Sequence, residues 1–270
     1  MSVRAVGVRT GLVGFAVMAA LALSACGSSG TTTTPAPTGG SPTATVTGDI
    51  TVFAASSLTE TFTQLGKDFH AANPGATVTF NFAGSSALAT QINQGAPADV
   101  FASAAPANLK TVTDAGNTAG TPVNFAKNQL VIAVPKGNPK QITGLADLAK
   151  PGIKVALCAE QVPCGAAAKA DIAATTVKIT PVTLEQDVKA ALSKVKLGEV
   201  DAALVYRTDA KADPADVDGI EFPESSTAIN VYPIAALKGA ANKTGAEAFI
   251  AWVLSAKGQA VLAAAGFQPA

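Results

Sequence analysis

The sequence predicts an α/β fold. Short apolar runs of β type recur along the chain, each passes into a turn of small residues, and most of those turns open a stretch of apolar residues at helical spacing. Alternation of that kind favours largely parallel sheets flanked by helices.

The elements follow in order. Residues 49–54 read as a strand that enters Ala55-Ser56-Ser57. Ser57 with Glu60 three residues on has the form of a capping box, and Leu58, Phe62, Leu65 and Phe69 then make one buried helical stripe, broken by Asn73-Pro74-Gly75. Residues 77–82 alternate, with Val78, Phe80 and Phe82 on one face. Ala83-Gly84-Ser85-Ser86 opens a second helix carrying Leu88 and Ile92 and ended by Gly95. Residues 99–102 form a strand, and Pro106 suits the first turn of the next helix. The continuous apolar run 130–134 has the character of a buried parallel strand. Residues 154–157 form another strand, leading through a cysteine-containing loop into a helix over 165–174, and 177–180 follow as a strand. Val188, Ala191, Leu192 and Val195 form a helical stripe ended by Gly198, and 202–205 form a buried strand ending in Tyr206. Thr244 with Glu247 reads as a second capping box before Phe249, Trp252 and Val253.

Composition narrows the function. The chain has 270 residues, with 19 Lys+Arg balanced by 19 Asp+Glu, 14% charged and 48% hydrophobic. That is too apolar for a disordered chain, and it carries no basic footprint for nucleic acid. The one histidine, His70, falls at the end of a helix on a polar stretch, so a His-based triad or multi-His metal site would have to use it. No G-x-G-x-x-G or G-x4-G-K-[ST] phosphate loop is present.

The N-terminus reads as an address. Arg4 and Arg9 precede an apolar run over 11–23 without an acid, and Leu23-Ser24-Ala25-Cys26-Gly27 resembles a bacterial lipobox. Residues 1–26 are therefore expected to be a lipoprotein signal peptide with its lipidated Cys26. Residues 27–47, free of charge and rich in Gly, Ser, Thr and Pro, are expected to be a disordered tether. Cys158 and Cys164 remain. Export places them in an oxidising compartment, and their short spacing fits a disulfide; a metal site would lack its third and fourth soft ligands.

The chemistry lies in the serine-rich turns. Ser56-Ser57 and Gly84-Ser85-Ser86 sit where strands pass into helices, and a helix N-terminus offers unpaired N–H groups and a partial positive charge. Such junctions can seat an oxyanion without Lys or Arg, although each serine could equally be an ordinary N-cap. Neither serine lies in G-x-S-x-G. Glu185 and Asp187 stand at a helix start, where acids are expected, and Asp213, Asp216 and Asp218 read as a solvated loop without EF-hand spacing.

Ordered segments add a resemblance. Val52-Phe53-Ala54-Ala55-Ser56-Ser57-Leu58-Thr59, Phe82-Ala83-Gly84-Ser85-Ser86-Ala87-Leu88-Ala89, Gln94-Gly95-Ala96-Pro97-Ala98-Asp99-Val100-Phe101, Val162-Pro163-Cys164-Gly165, Leu204-Val205-Tyr206-Arg207-Thr208-Asp209-Ala210 and Tyr232-Pro233-Ile234-Ala235 resemble the molybdate-binding proteins of bacterial ABC importers. The resemblance runs over about 48–270. It implies a type II periplasmic-binding-protein fold: lobe 1 from 48–127 plus 229–270, lobe 2 from 128–228, and the ligand in the cleft. It implies molybdate contacts from the hydroxyls of Ser57, Ser85 and Tyr206 and the backbone N–H groups of Cys164 and Val188. Cys164 departs from the family pattern, and Arg207 adds a charge beside Tyr206, expected to face solvent. The resemblance further implies a binding protein rather than an enzyme. Its ligand would be molybdate or tungstate, with no cofactor and no metal cation. Its partners would be a permease and an ATPase, with a lipid anchor on the outer face of the membrane, no nucleic acid and a monomeric state. The alternatives are another oxyanion, such as sulfate or phosphate, and a secreted serine hydrolase using Ser57.

Overall fold

The computed structural model describes residues 46–270. The leader, Cys26 and most of the expected tether lie outside the described residues.

Two five-stranded sheets form the framework, each in its own lobe. The first runs in the order β2 (Ala76–Ala83), β1 (Gly48–Ala55), β3 (Val100–Ala102), β10 (Asn230–Leu237), β4 (Thr118–Asn128). The second runs β7 (Thr183–Glu185), β6 (Val155–Cys158), β8 (Ala202–Tyr206), β5 (Leu130–Pro135), β9 (Val217–Ile220). Both are mixed. β1 is parallel to β2 and β3, and β6 to β7 and β8, whereas β10 is antiparallel to β3 and β4, and β5 to β8 and β9.

The run 130–134 is thus an antiparallel strand, not a parallel one. Its apolar continuity reflects burial on both faces, from Leu130 to Val134, and burial does not encode direction. Only Gln129 separates β4 from β5, so the chain passes straight between the lobes without a helix to reverse it. The return runs from β9 through a short 3-10 turn, Pro223–Ser226, into β10.

Helices α1 (Thr59–Ala72), α2 (Ser85–Asn93), α3 (Pro106–Asp114), α8 (Lys243–Leu254) and α9 (Ala256–Ala265) cover the first sheet; α4 (Leu145–Leu148), α5 (Pro163–Ala173), α6 (Val188–Lys196) and α7 (Arg207–Ala212) belong with the second. The expected stripe Leu58, Phe62, Leu65 and Phe69 is fully buried, with Phe62 and Phe69 edge-on to Phe249. The Val188, Ala191, Leu192 and Val195 stripe is buried in the other lobe.

Local expectations needed correction where a longer-range contact won. A 3-10 turn, Ser56–Leu58, precedes α1, so Ser57 is no capping residue: its hydroxyl meets Tyr232 Oη at 2.9 Å, and Glu60 pairs with Lys189. The cap of α8 is Asn242, whose side chain accepts from Gly245 N–H at 2.8 Å, rather than Thr244. Residues 177–180 join no ladder; Ile179 packs on the core side chains while the edge strand forms further on, at β7. Asp218 belongs to β9, where Lys136 sits at 2.7 Å, and Asp213 and Asp216 hold Lys196 at 2.9 and 3.2 Å. Asp213 and Asp216 thus lie at an exposed turn, as expected, with their carboxylates ion-paired, and only Asp218 belongs to a strand. Cys158 and Cys164 are bonded, joining the end of β6 to the first turn of α5.

Candidate functional site

The C-terminal ends of β1, β2, β6, β7 and β8 all turn toward one small cavity, the usual place for a ligand in an open α/β sheet. Its empty space, open mouth included, is about 180 Å³. Ser56 and Ser57 line it from the first lobe, with Gly84 and Ser85 at the start of α2. Val162, Pro163 and Cys164 at the start of α5, Val188 at the start of α6 and Tyr206 line it from the second. All five residues singled out from the sequence resemblance therefore meet at one place. Among the described residues no charged side chain lines the cavity. The positive character of its wall comes from helix starts, whose first N–H groups have no intrahelical acceptor.

The hydroxyls are arranged as donors. Ala104 N–H donates to Ser85 Oγ at 3.0 Å, which leaves the Ser85 proton free for the cavity. Tyr206 is 1% exposed, and its Oη makes no well-aligned hydrogen bond among the described residues, with the side chains of Tyr232 and Asn230 as its polar neighbours. Burial pushes its pKa well above that of a free tyrosine, with Tyr232 and Asp209 nearby adding to the effect, so the phenol stays protonated. A buried hydroxyl left unpaired costs about 1–3 kcal/mol, and a ligand oxygen would remove that cost.

Two close approaches shape the walls. A Cβ on Gly84 would lie 2.3 Å from the carbonyl oxygen of Gln186, so the two lobes meet there backbone to backbone. One on Gly165 would lie 2.0 Å from Ala159 O, because the disulfide loop folds back over the start of α5. At the crossing strands, Asn128 Nδ2 donates to Thr208 Oγ1 at 2.8 Å and Asn230 Nδ2 donates to Ala104 O at 2.9 Å.

Other candidates lie elsewhere. Arg207 is held by Glu221 through Nε and Nη2, both at 2.7 Å, and lines an outer groove. Exposed His70 places Nδ1 2.6 Å from Ala76 O and does not line the cavity, so Ser57 has no base beside it there. Among the described residues no group of three or more His, Cys, Asp or Glu is placed to hold a metal ion.

Residues 50–268 match the family model described as bacterial extracellular solute-binding protein. The chain belongs to that family. The solute-binding protein is 46% identical over 265 residues to the molybdate-binding protein ModA of Mycobacterium tuberculosis, covering 98% of each chain. It is 34% identical over 211 residues to molybdate-binding protein ModA of Escherichia coli, covering 73% of this chain and 80% of that protein. Among solved structures, the periplasmic molybdate-binding protein of Azotobacter vinelandii shares the fold with TM-score 0.67 and 24% identity, over 81% of this chain and 98% of that one. The sulfate-binding protein SubI of Mycobacterium tuberculosis does so with TM-score 0.70 and 20% identity, over 82% and 86%. The fold alone therefore does not fix the ligand.

Sequence reasoning missed Tyr232, which bonds Ser57, and the ion-paired group of Lys189, half-exposed Glu60 and buried Asp209. One local signal was available: Glu60 and Asp209 each stand three residues beyond a hydroxyl that lines the site.

Proposed function

We propose that this solute-binding protein captures molybdate, and tungstate with it, on the outer side of the membrane and passes it to the permease and ATPase of an ABC importer. The observation that carries this reading is the fully buried Tyr206 hydroxyl, without a well-aligned hydrogen bond among the described residues, in a cavity walled by helix starts and Ser85 and lined by no charged side chain of those residues. A dianion can be buried without a counter-charge only if its oxygens are hydrogen-bonded all round, and neutral donors here do that. The absence of a lining carboxylate disfavours phosphate, whose remaining proton would want an acceptor. With about 10 Å³ of room for the centre of a water-sized sphere, the cavity is far smaller than the pockets of about 300–1,000 Å³ that hold ordinary organic solutes. Between molybdate and sulfate, equal in charge and shape, the 46% identity to a molybdate-binding protein supports the larger anion. Ser57, Ser85 and Tyr206 contribute hydroxyls, and Cys164 and Val188 their N–H groups. Binding makes and breaks no covalent bond, and the protein acts as a monomer. The lipobox sequence supports an anchor at Cys26, with 27–47 as a tether.

Calorimetric titration of the purified protein with molybdate, tungstate, sulfate and phosphate tests the reading. The expected result is tight one-to-one binding of the first two, at least about a hundredfold stronger than of the others. Preferential binding of sulfate would replace the proposed ligand. In cells, the full chain is expected to partition with membranes and Cys26→Ala to abolish this.

A further inference from the structure

Lys189 is a cation one residue beyond Val188, and it does not line the anion cavity. Its Nζ lies 2.8 Å from Glu60 Oε1 and 3.1 Å from Asp209 Oδ1, as ion pairs rather than aligned hydrogen bonds. The two acids come from different places. Glu60 is in the first turn of α1, three residues after Ser57, in the first lobe. Asp209 is in the first turn of α7, three residues after Tyr206, in the second. The Asp209 side chain is completely buried, and its Oδ2 accepts from Tyr206 N–H at 3.2 Å. One ammonium thus ties together the segments that carry Ser57, Val188 and Tyr206. Opening the cleft would part Lys189 from Glu60 while leaving it with Asp209, because only Glu60 stands on the opposite lobe.

We propose that Lys189 is a positioning residue for anion capture: a clasp that holds the three site-bearing segments in register and, through Glu60, favours the closed cleft. It rests on the binding reading above. The clasp does not touch the ligand. It sets how long the anion is kept, because the Glu60 contact is gained on closing and must be broken before release. The Asp209 contact has the other task, fixing the start of α7 and with it the Tyr206 hydroxyl. A fully buried carboxylate needs a cation to remain charged, which is why a lysine this close to the ligand can be consumed by the protein rather than by the anion.

The test uses Lys189→Met, Lys189→Arg and Glu60→Gln in the full-length mature protein, with molybdate as the probe. Lys189→Met should weaken binding about ten- to a hundredfold, because it leaves a buried partner unpaired, and Lys189→Arg should restore affinity to within about threefold. Glu60→Gln, a change at a half-exposed carboxylate that should fold normally, is expected to raise the off-rate about threefold with little change in on-rate and to remove the salt dependence of that off-rate. Hydrogen exchange of the Tyr206 amide in the ligand-free protein supplies a readout independent of molybdate; it should quicken about tenfold in Lys189→Met and remain slow in Lys189→Arg. Failure of the wild type to bind molybdate would sink the ligand assignment, and the exchange comparison would still judge the clasp. Wild-type off-rates in both Lys189→Met and Glu60→Gln, or an unchanged Tyr206 exchange rate in Lys189→Met, would overturn it.

Discussion

Gly84→Ala should weaken oxyanion binding about ten- to a hundredfold while leaving the thermal stability of the ligand-free protein almost unchanged. The backbone of Gly84, at φ −59° and ψ 135°, is open to any residue, so glycine is not needed there for its conformational freedom. It is needed for space. A methyl group would sit 2.3 Å from the carbonyl oxygen of Gln186 on the other lobe, and that oxygen belongs to the backbone that places Asp187, the cap of α6, and Val188. Relief requires the lobes to part. Parting them separates Ser85 from Val188 and Tyr206, so the anion loses donors from one side. Inside the first lobe nothing collides, which is why the open form should be as stable as before. Paired calorimetric and thermal-unfolding measurements check this. Wild-type affinity in Gly84→Ala would show that the seam is not set by that contact.

Asp171→Asn is expected to stabilise the protein by up to about 4 kcal/mol at pH 8 and by less than half of that, about 1.6 kcal/mol, at pH 5. Asp171 lies on α5, fully buried, and neither carboxylate oxygen has a well-formed hydrogen bond among the described residues. Burial raises its pKa from 3.8 to about 7; the Ala228 N–H offsets part of that, and Glu224 nearby adds to it. The sign follows from proton counts. Between these two values the folded state holds a proton that the unfolded state has released, so stability falls as pH rises from about 4 to about 7. Above that range the folded protein carries a buried, unpaired charge, which the amide removes. Asp209, raised to about 6 chiefly by burial and partly offset by Lys189, leaves a smaller slope of the same sign in the variant. Urea unfolding at pH 5 and pH 8 measures the difference. An equal loss of stability at both pH values would mean that the carboxylate makes a structural contact the amide cannot replace.

What could be read from the sequence was whatever a short window encodes. Leu58, Phe62, Leu65 and Phe69 announce a buried helix face because their spacing alone decides it, and Pro106 marks a helix start because its ring fixes φ. Direction of β5 was not readable, since a strand buried on both faces looks the same whether its neighbours run parallel or antiparallel. The caps failed for a related reason. Ser57 and Glu60 have the spacing of a capping box, but each has a stronger partner far away in sequence, in Tyr232 and Lys189. Serines at the strand-to-helix turns suggested an anion seat and left the ordinary-cap reading open. Their convergence with Tyr206 on one cavity depends on β1 and β2 lying in one sheet and β8 in the other, which no local pattern states. Arg207, the charge next to Tyr206 in sequence, is held by Glu221, fourteen residues further on.

The central claim is that neutral donors, and no cation, hold the anion. Its most direct test is a set of molybdate titrations with Ser85→Ala, Tyr206→Phe and Arg207→Ala at low and high salt. Loss of one hydroxyl donor to a buried dianion should cost about 1.5–3 kcal/mol, about ten- to a hundredfold in affinity, and the loss should persist at high salt. Arg207→Ala should change affinity by less than about threefold, because its charge is already paired at the surface. Normal binding by both hydroxyl variants, together with abolished binding by Arg207→Ala, would contradict the account and require an ion-pair site in its place.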